Sequence, residues 1–138
     1  MKKLLIPFLL LFSVNVFSQT NGAYVFGQST EHEAYFPKGD TAWSNYMRQN
    51  LNANVPVINK APKGTYQVIV KFIVSKDGSV SDVEAETNFG YGMEQEAIRV
   101  IKNSPIWTPA FQRGHNVSSY RRQPVTFAVE RPYQCLLI

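Results

Sequence analysis

Tyr66, Val68, Val70, Phe72 and Val74 alternate with Gln67, Ile69, Lys71, Ile73 and Ser75. A period of two in β-branched and aromatic residues predicts a strand, and Ile69 and Ile73 predict partial cover on its second face. Lys76-Asp77-Gly78-Ser79 follows at once, and Asp-Gly supplies the positive φ angles of a tight hairpin turn, so Val80 to Glu86 should return antiparallel. Ser81, Asp82, Glu84 and Glu86 place one face of that second strand in water. A third strand is expected from about Val117 to Val129, where Val125, Phe127 and Val129 alternate. Pro124 lacks the N–H that a central strand needs, which puts this strand at an edge.

Helical spacing occurs twice. Trp43, Tyr46, Met47 and Leu51 mark one face of a helix over Asp40 to Asn52, with Asp40 placed as its N-cap. Met93, Ala97, Ile98 and Ile101 mark a second helix, with Glu94 and Glu96 in its first turn and Lys102 in its last, as the helix dipole favours. Asn103 and Pro105 stop it. Pro56, Pro62 and several Asn make 52–63 a connector, Arg113-Gly114-His115-Asn116 has the composition of a turn, and 20–35 has no sustained period. Residues 19–35 are therefore expected to be an irregular lead-in, with structure beginning near Phe36.

The N-terminus carries a different message. Lys2 and Lys3 precede an apolar run from Leu4 to Val14, which Asn15 interrupts well short of the about 20 residues that a bilayer span requires. This layout is that of a secretory signal peptide, with cleavage expected after about Ser18 and export to the periplasm. Of 14 Lys and Arg, two lie in that leader, so 12 remain against 10 Asp and Glu, a charge near +2. So small an excess does not point to nucleic acid. Apolar residues at 44% and charged residues at 17% fit a folded domain, and 138 residues fit one core rather than two. Cys135 is the sole cysteine, which rules out an internal disulfide.

In order along the chain stand Phe36-Pro37-x-Gly39, Ala42-Trp43, Asn50-Leu51, Gly64, Val70-x-Phe72-x-Val74 and Asp77-Gly78-Ser79-Val80-x-Asp82-Val83. Glu96-Ala97, Arg99-Val100, Pro105-x-Trp107-x-Pro109-Ala110 and Pro124-Val125-Thr126-Phe127 complete the set. From about Phe36 to Phe127 this ordered set resembles the C-terminal domain of TonB, which couples inner-membrane energy to outer-membrane transporters. The resemblance implies an α+β domain over 36–129, a three-stranded antiparallel sheet with two helices packed on one face, followed by an apolar tail over 130–138. It also implies a protein-binding role in the periplasm, with no enzyme activity, cofactor or metal. The partner it implies is the N-terminal segment of an outer-membrane transporter, or another envelope protein, taken up as an added strand in TonB-dependent transport. Two departures stand against a full transfer. The transmembrane helix and Pro-rich spacer of a full-length TonB have no counterpart here, so force transmission from the inner membrane is not expected. Asn54-Val55-Pro56 stands where many relatives have an aromatic-Pro pair.

An edge strand exposes unpaired N–H and C=O groups that an extended peptide can complete. The candidate surface is Ser118, Ser119, Tyr120, Arg121, Arg122, Gln123 and Thr126. Arg121 and Arg122 fit charge pairing with an acidic peptide. They fit equally well as basic residues that protect an edge from aggregation. The tail Tyr133-Gln134-Cys135-Leu136-Leu137-Ile138 is expected either to fold over its own domain or to pair with a second copy, and a homodimer or the tail is the rival occupant of the edge. In that reading the protein is a structural or inhibitory envelope protein. His32 and His115 belong to no ligand spacing, and Asp77 with Asp82 offers too few oxygens for a calcium loop. Asn116-Val117-Ser118 fits the glycosylation acceptor pattern with little force.

Overall fold

The computed structural model of the protein describes residues 31–130. The expected signal peptide over 1–18 and most of the expected apolar tail over 130–138 lie outside the described residues. Strand β1, Gly64–Val74, is the centre of the fold, and Val68, Val70, Phe72 and Val74 on its one face are buried. Strand β2, Val80–Ala85, and strand β5, Ser119–Val129, flank it in the order β2-β1-β5, both antiparallel. The eleven pairs from Gly64↔Val129 to Val74↔Ser119 run without a shift. The β1–β2 ladder slips between Lys71 and Ile73, where Asp82 takes a φ of 49° and β2 carries one extra residue, a β-bulge.

The β1–β2 turn differs from the expected one. Ser75 N–H donates to Ser79 O at 2.9 Å and Gly78 N–H to Ser75 O at 2.8 Å, so three residues form the loop. Gly78 alone has positive φ, 86°, and Asp77 instead accepts from Ser79 N–H at 2.9 Å through Oδ1. This is a type I turn closed by a left-handed glycine, not a two-residue turn.

Helix α3, Met93–Lys102, packs on β1 and β2 and buries Met93, Ala97, Val100 and Ile101. Trp107 lies on Phe72, with ring centroids 5.1 Å apart, and its Nε1–H donates to Ser104 Oγ at 2.9 Å. Burying each such large side chain contributes about 1.5–3 kcal/mol relative to exposure. Helix α1, Gly39–Asn50, begins one residue before Asp40, which is not its N-cap: Lys38 holds that place at φ 66° without a side-chain cap. Trp43 and Tyr46 lie against Phe36 at 5.2 and 5.4 Å, so α1 joins the core through aromatic edges rather than by full burial.

The connector after α1 contains a further turn of helix, α2, Val55–Ile58, which Pro56 permits because Pro fits the first helical turn. Strands β3, Ala110–Gln112, and β4, His115–Val117, form a small hairpin around Arg113 and Gly114, both at positive φ as a type I′ turn requires. The third long strand therefore starts at Ser119, not Val117. His32 and Phe111 exchange backbone hydrogen bonds of 3.1 and 2.9 Å, Tyr35 and Thr108 exchange two of 3.0 Å, and Ala34 between them is fully buried. Ordered contacts thus begin before Phe36. No helix among the described residues is long and apolar enough to cross a membrane.

Candidate functional site at the free sheet edge

The direction of every backbone group on β5 follows from one hydrogen bond on the other side of β1. Glu86 N–H donates to Ile69 O at 2.8 Å, so Ile69 faces β2 and turns its back on Pro124, its Cα partner on β5. In an antiparallel ladder, hydrogen-bonded and non-hydrogen-bonded pairs alternate. Ser119, Arg121, Gln123, Val125, Phe127 and Val129 consequently bond β1. Tyr120, Arg122, Pro124, Thr126 and Ala128 point their backbone groups outward, where no strand pairs with them among the described residues. Pro124 falls on the one parity where a missing N–H leaves the β1 ladder intact.

Side chains divide with the same parity. Val125, Phe127 and Val129 are buried under the helices, which puts Ser119, Arg121 and Gln123 on the helix side of the sheet. Tyr120, Arg122, Pro124, Thr126 and Ala128 are on the open face, all exposed. The two adjacent arginines of the candidate surface are thus on opposite faces.

Arg122 is already engaged. Its Nε donates to Glu86 at 2.8 and 3.1 Å, reaching across β1, and this hydrogen bond holds the Glu86 carboxyl below the usual carboxylate range. Lys71 pairs with Glu84 at 2.8 Å and stands 5.7 Å from the Tyr120 ring, and the Glu84 hydrogen bond raises its pKa. Both pairs are exposed and contribute little to stability. Ser118 is just outside β5, where its Oγ accepts from Lys76 N–H at 3.2 Å. Gln123 approaches Pro124 O at 3.4 Å through Nε2. Thr126, like Tyr120 and Arg122, turns its N–H outward, and it does so between the buried Val125 and Phe127.

The parity of Arg121 and Arg122 was readable from the period of two. The Glu86 contact was not, because it joins residues 36 apart across an intervening strand. His32 stacks on Phe111 at 6.0 Å, and His115 Nδ1 is 3.2 Å from Arg113 O, so each has a place in the small hairpin layer. Among the described residues no three His, Cys, Asp or Glu side chains gather as a metal would require.

Residues 63–129 match the family model of the Gram-negative bacterial TonB protein C-terminal. A search of curated proteins and one of solved structures returned no match. The matched stretch opens just before β1 and closes at the last residue of β5, so it contains the whole three-stranded sheet, α3 and the small hairpin, while α1 and α2 precede it. By sequence profile, the stretch from β1 through β5, residues 63–129, matches the TonB C-terminal family, and the three-stranded antiparallel sheet it builds is consistent with that family.

Proposed function

We propose that this TonB-like envelope domain is a periplasmic binding module rather than a catalyst, and that it takes up an extended segment of another envelope protein along the outer side of β5. The N-terminal segment of an outer-membrane transporter is the partner that the family match over residues 63–129 favours. One observation carries the reading: β5 is eleven residues long, in continuous register with β1, and its outward N–H and C=O groups have no strand beside them among the described residues. A strand added there satisfies those groups without any rearrangement of the core.

Thr126→Pro tests it. The substitution deletes one outward N–H, at a position where the β1 ladder needs no donor and the backbone is already extended. The variant should keep its fold and bind a synthetic transporter N-terminal peptide about fivefold more weakly, the worth of one hydrogen bond. Unchanged affinity in a folded variant would contradict strand addition at this edge.

A further inference from the structure

Of the six large hydrophobic side chains exposed among the described residues, three gather at one end of the domain: Ile58 at 65%, Phe89 at 43% and Tyr91 at 41%. Asn59, next to Ile58, donates through Nδ2 to Tyr91 O at 2.9 Å, and Phe89 meets the half-buried Tyr66 ring edge-on at 5.5 Å. Tyr91 takes a φ of 56°, a backbone region that suits Gly or Asn and disfavours a bulky side chain. The turn itself has no need of that ring, which stays in contact with water. Clustered exposed apolar side chains mark a surface that something covers.

The same end is where β5 stops. Val129 stands opposite Gly64, and a Cβ on Gly64 would lie 3.7 Å from the Tyr66 ring, so roughly 15 Å separates Val129 from Phe89. The β1 ladder cannot extend past this point. Its next hydrogen-bonded pair would set Arg131 against Pro62, which has no N–H and whose carbonyl already accepts from Tyr66 Oη–H at 2.7 Å. The chain beyond is rich in apolar groups, with Tyr133, Leu136, Leu137 and Ile138 and no charged side chain after Arg131. From Val129 to Leu136 an extended chain reaches about 23 Å, enough to arrive at Phe89. The outer side of β5 suits these residues poorly. Side chains of an added strand alternate between faces, so the consecutive Leu136, Leu137 and Ile138 would leave at least one on the open face of the sheet, beside exposed Tyr120, Arg122 and Thr126.

We infer that 131–138 turns under the helix side of the sheet and packs Tyr133, Leu136 and Leu137 on Ile58, Phe89 and Tyr91, closing this end of the core and leaving the outer side of β5 open. The assignment is independent of the strand addition proposed above, and its test contains no peptide, so the two fail separately.

Cys135, the sole cysteine, lies within the segment and takes a nitroxide spin label in the chain from Gln19 onward. The amide signals of Phe89, Gly90 and Tyr91 should be lost to paramagnetic broadening, while those of Tyr120 and Arg122 persist. In Ile58→Ser/Tyr91→Asn, which changes two exposed side chains and puts at 91 a residue at ease with positive φ, the Phe89 and Gly90 signals should return. Mixing spin-labelled protein with isotope-labelled protein that carries no spin label should broaden none of them. Deleting 131–138 should shift the Phe89 and Tyr91 amides and leave those of Tyr120 to Gln123 in place, a readout that no label can disturb. Loss of the Arg122, Thr126 and Ala128 signals instead would put the tail along β5 and overturn the assignment. Broadening in the mixed sample would give the segment to a second copy, and persistence of the Phe89 to Tyr91 signals in the labelled protein would leave the patch without this occupant; either overturns it.

Discussion

Gly78 occupies a place that a side chain cannot share. Its φ is 86°, and a Cβ there would stand 2.2 Å from Trp107 O and 2.6 Å from Ile106 Cγ2. The closeness has a purpose, because Trp107 N–H donates to Gly78 O at 2.9 Å and so ties the β1–β2 turn to the tryptophan that covers Phe72. Gly78→Ala combines a disfavoured backbone angle with a clash against backbone, and should cost about 3 kcal/mol. Urea denaturation followed by tryptophan fluorescence checks it, and a loss under about 1 kcal/mol, the scale of the backbone-angle cost alone, would show that the Trp107 contact yields freely.

At the level of elements, the weakest-held piece is α1, which buries no residue outright and depends on a polar tie to α3. Glu96 Oε1 accepts from Asn52 N–H at 2.8 Å and from Arg99 Nη2 at 2.6 Å, and Oε2 accepts from Arg99 Nε at 2.9 Å. Arg99 Nη2 also donates to Asn50 O at 2.7 Å, and Tyr46 Oη–H to Val100 O at 2.8 Å. The Arg99 hydrogen bonds are the chief cause that lowers the Glu96 pKa, with the Asn52 amide helping against burial. A carboxylate with a lowered folded pKa stabilises fully above its unfolded value of about 4.3, and that contribution disappears as pH falls through the folded value. Glu96→Gln should therefore destabilise by about 1–3 kcal/mol at pH 7 and flatten the fall in stability below about pH 4. Urea midpoints at pH 7 and pH 3 check both parts, and parallel losses at the two pH values would contradict the assignment.

Elements with a long, clean period were the ones readable in the chain: β1, α3 and β5 each repeat their apolar positions over enough residues to declare themselves, and β2 was readable from the Asp77-Gly78 turn that precedes it. Short pieces held by tertiary contacts were not. Pro56 argued for a connector although it fits the first turn of α2, three-residue strands on either side of Arg113-Gly114 are too brief to show a period, and Ala34 is buried by pairing with residues about 75 positions away. The same limit applies to the edge. Its location followed from Pro124, but which arginine was free depended on Glu86 reaching across β1.

For the whole molecule, the sheet has two edges of different character. β2 has six residues, a bulge at Asp82 and exposed Ser81, Asp82 and Glu84, features that discourage another strand from pairing. β5 has eleven in one register, with Pro124 as its main interruption. The fold thus directs any added strand to one side, and it sorts the amides of β5 into two sets. Hydrogen exchange with and without a transporter N-terminal peptide reads that sorting directly. Arg121, Gln123, Val125 and Phe127 amides should be protected in both states, whereas Tyr120, Arg122, Thr126 and Ala128 should exchange rapidly in the free protein and slow at least tenfold in the complex. Protection of the even-numbered amides before any peptide is added, or none after, would contradict completion of this edge by another chain.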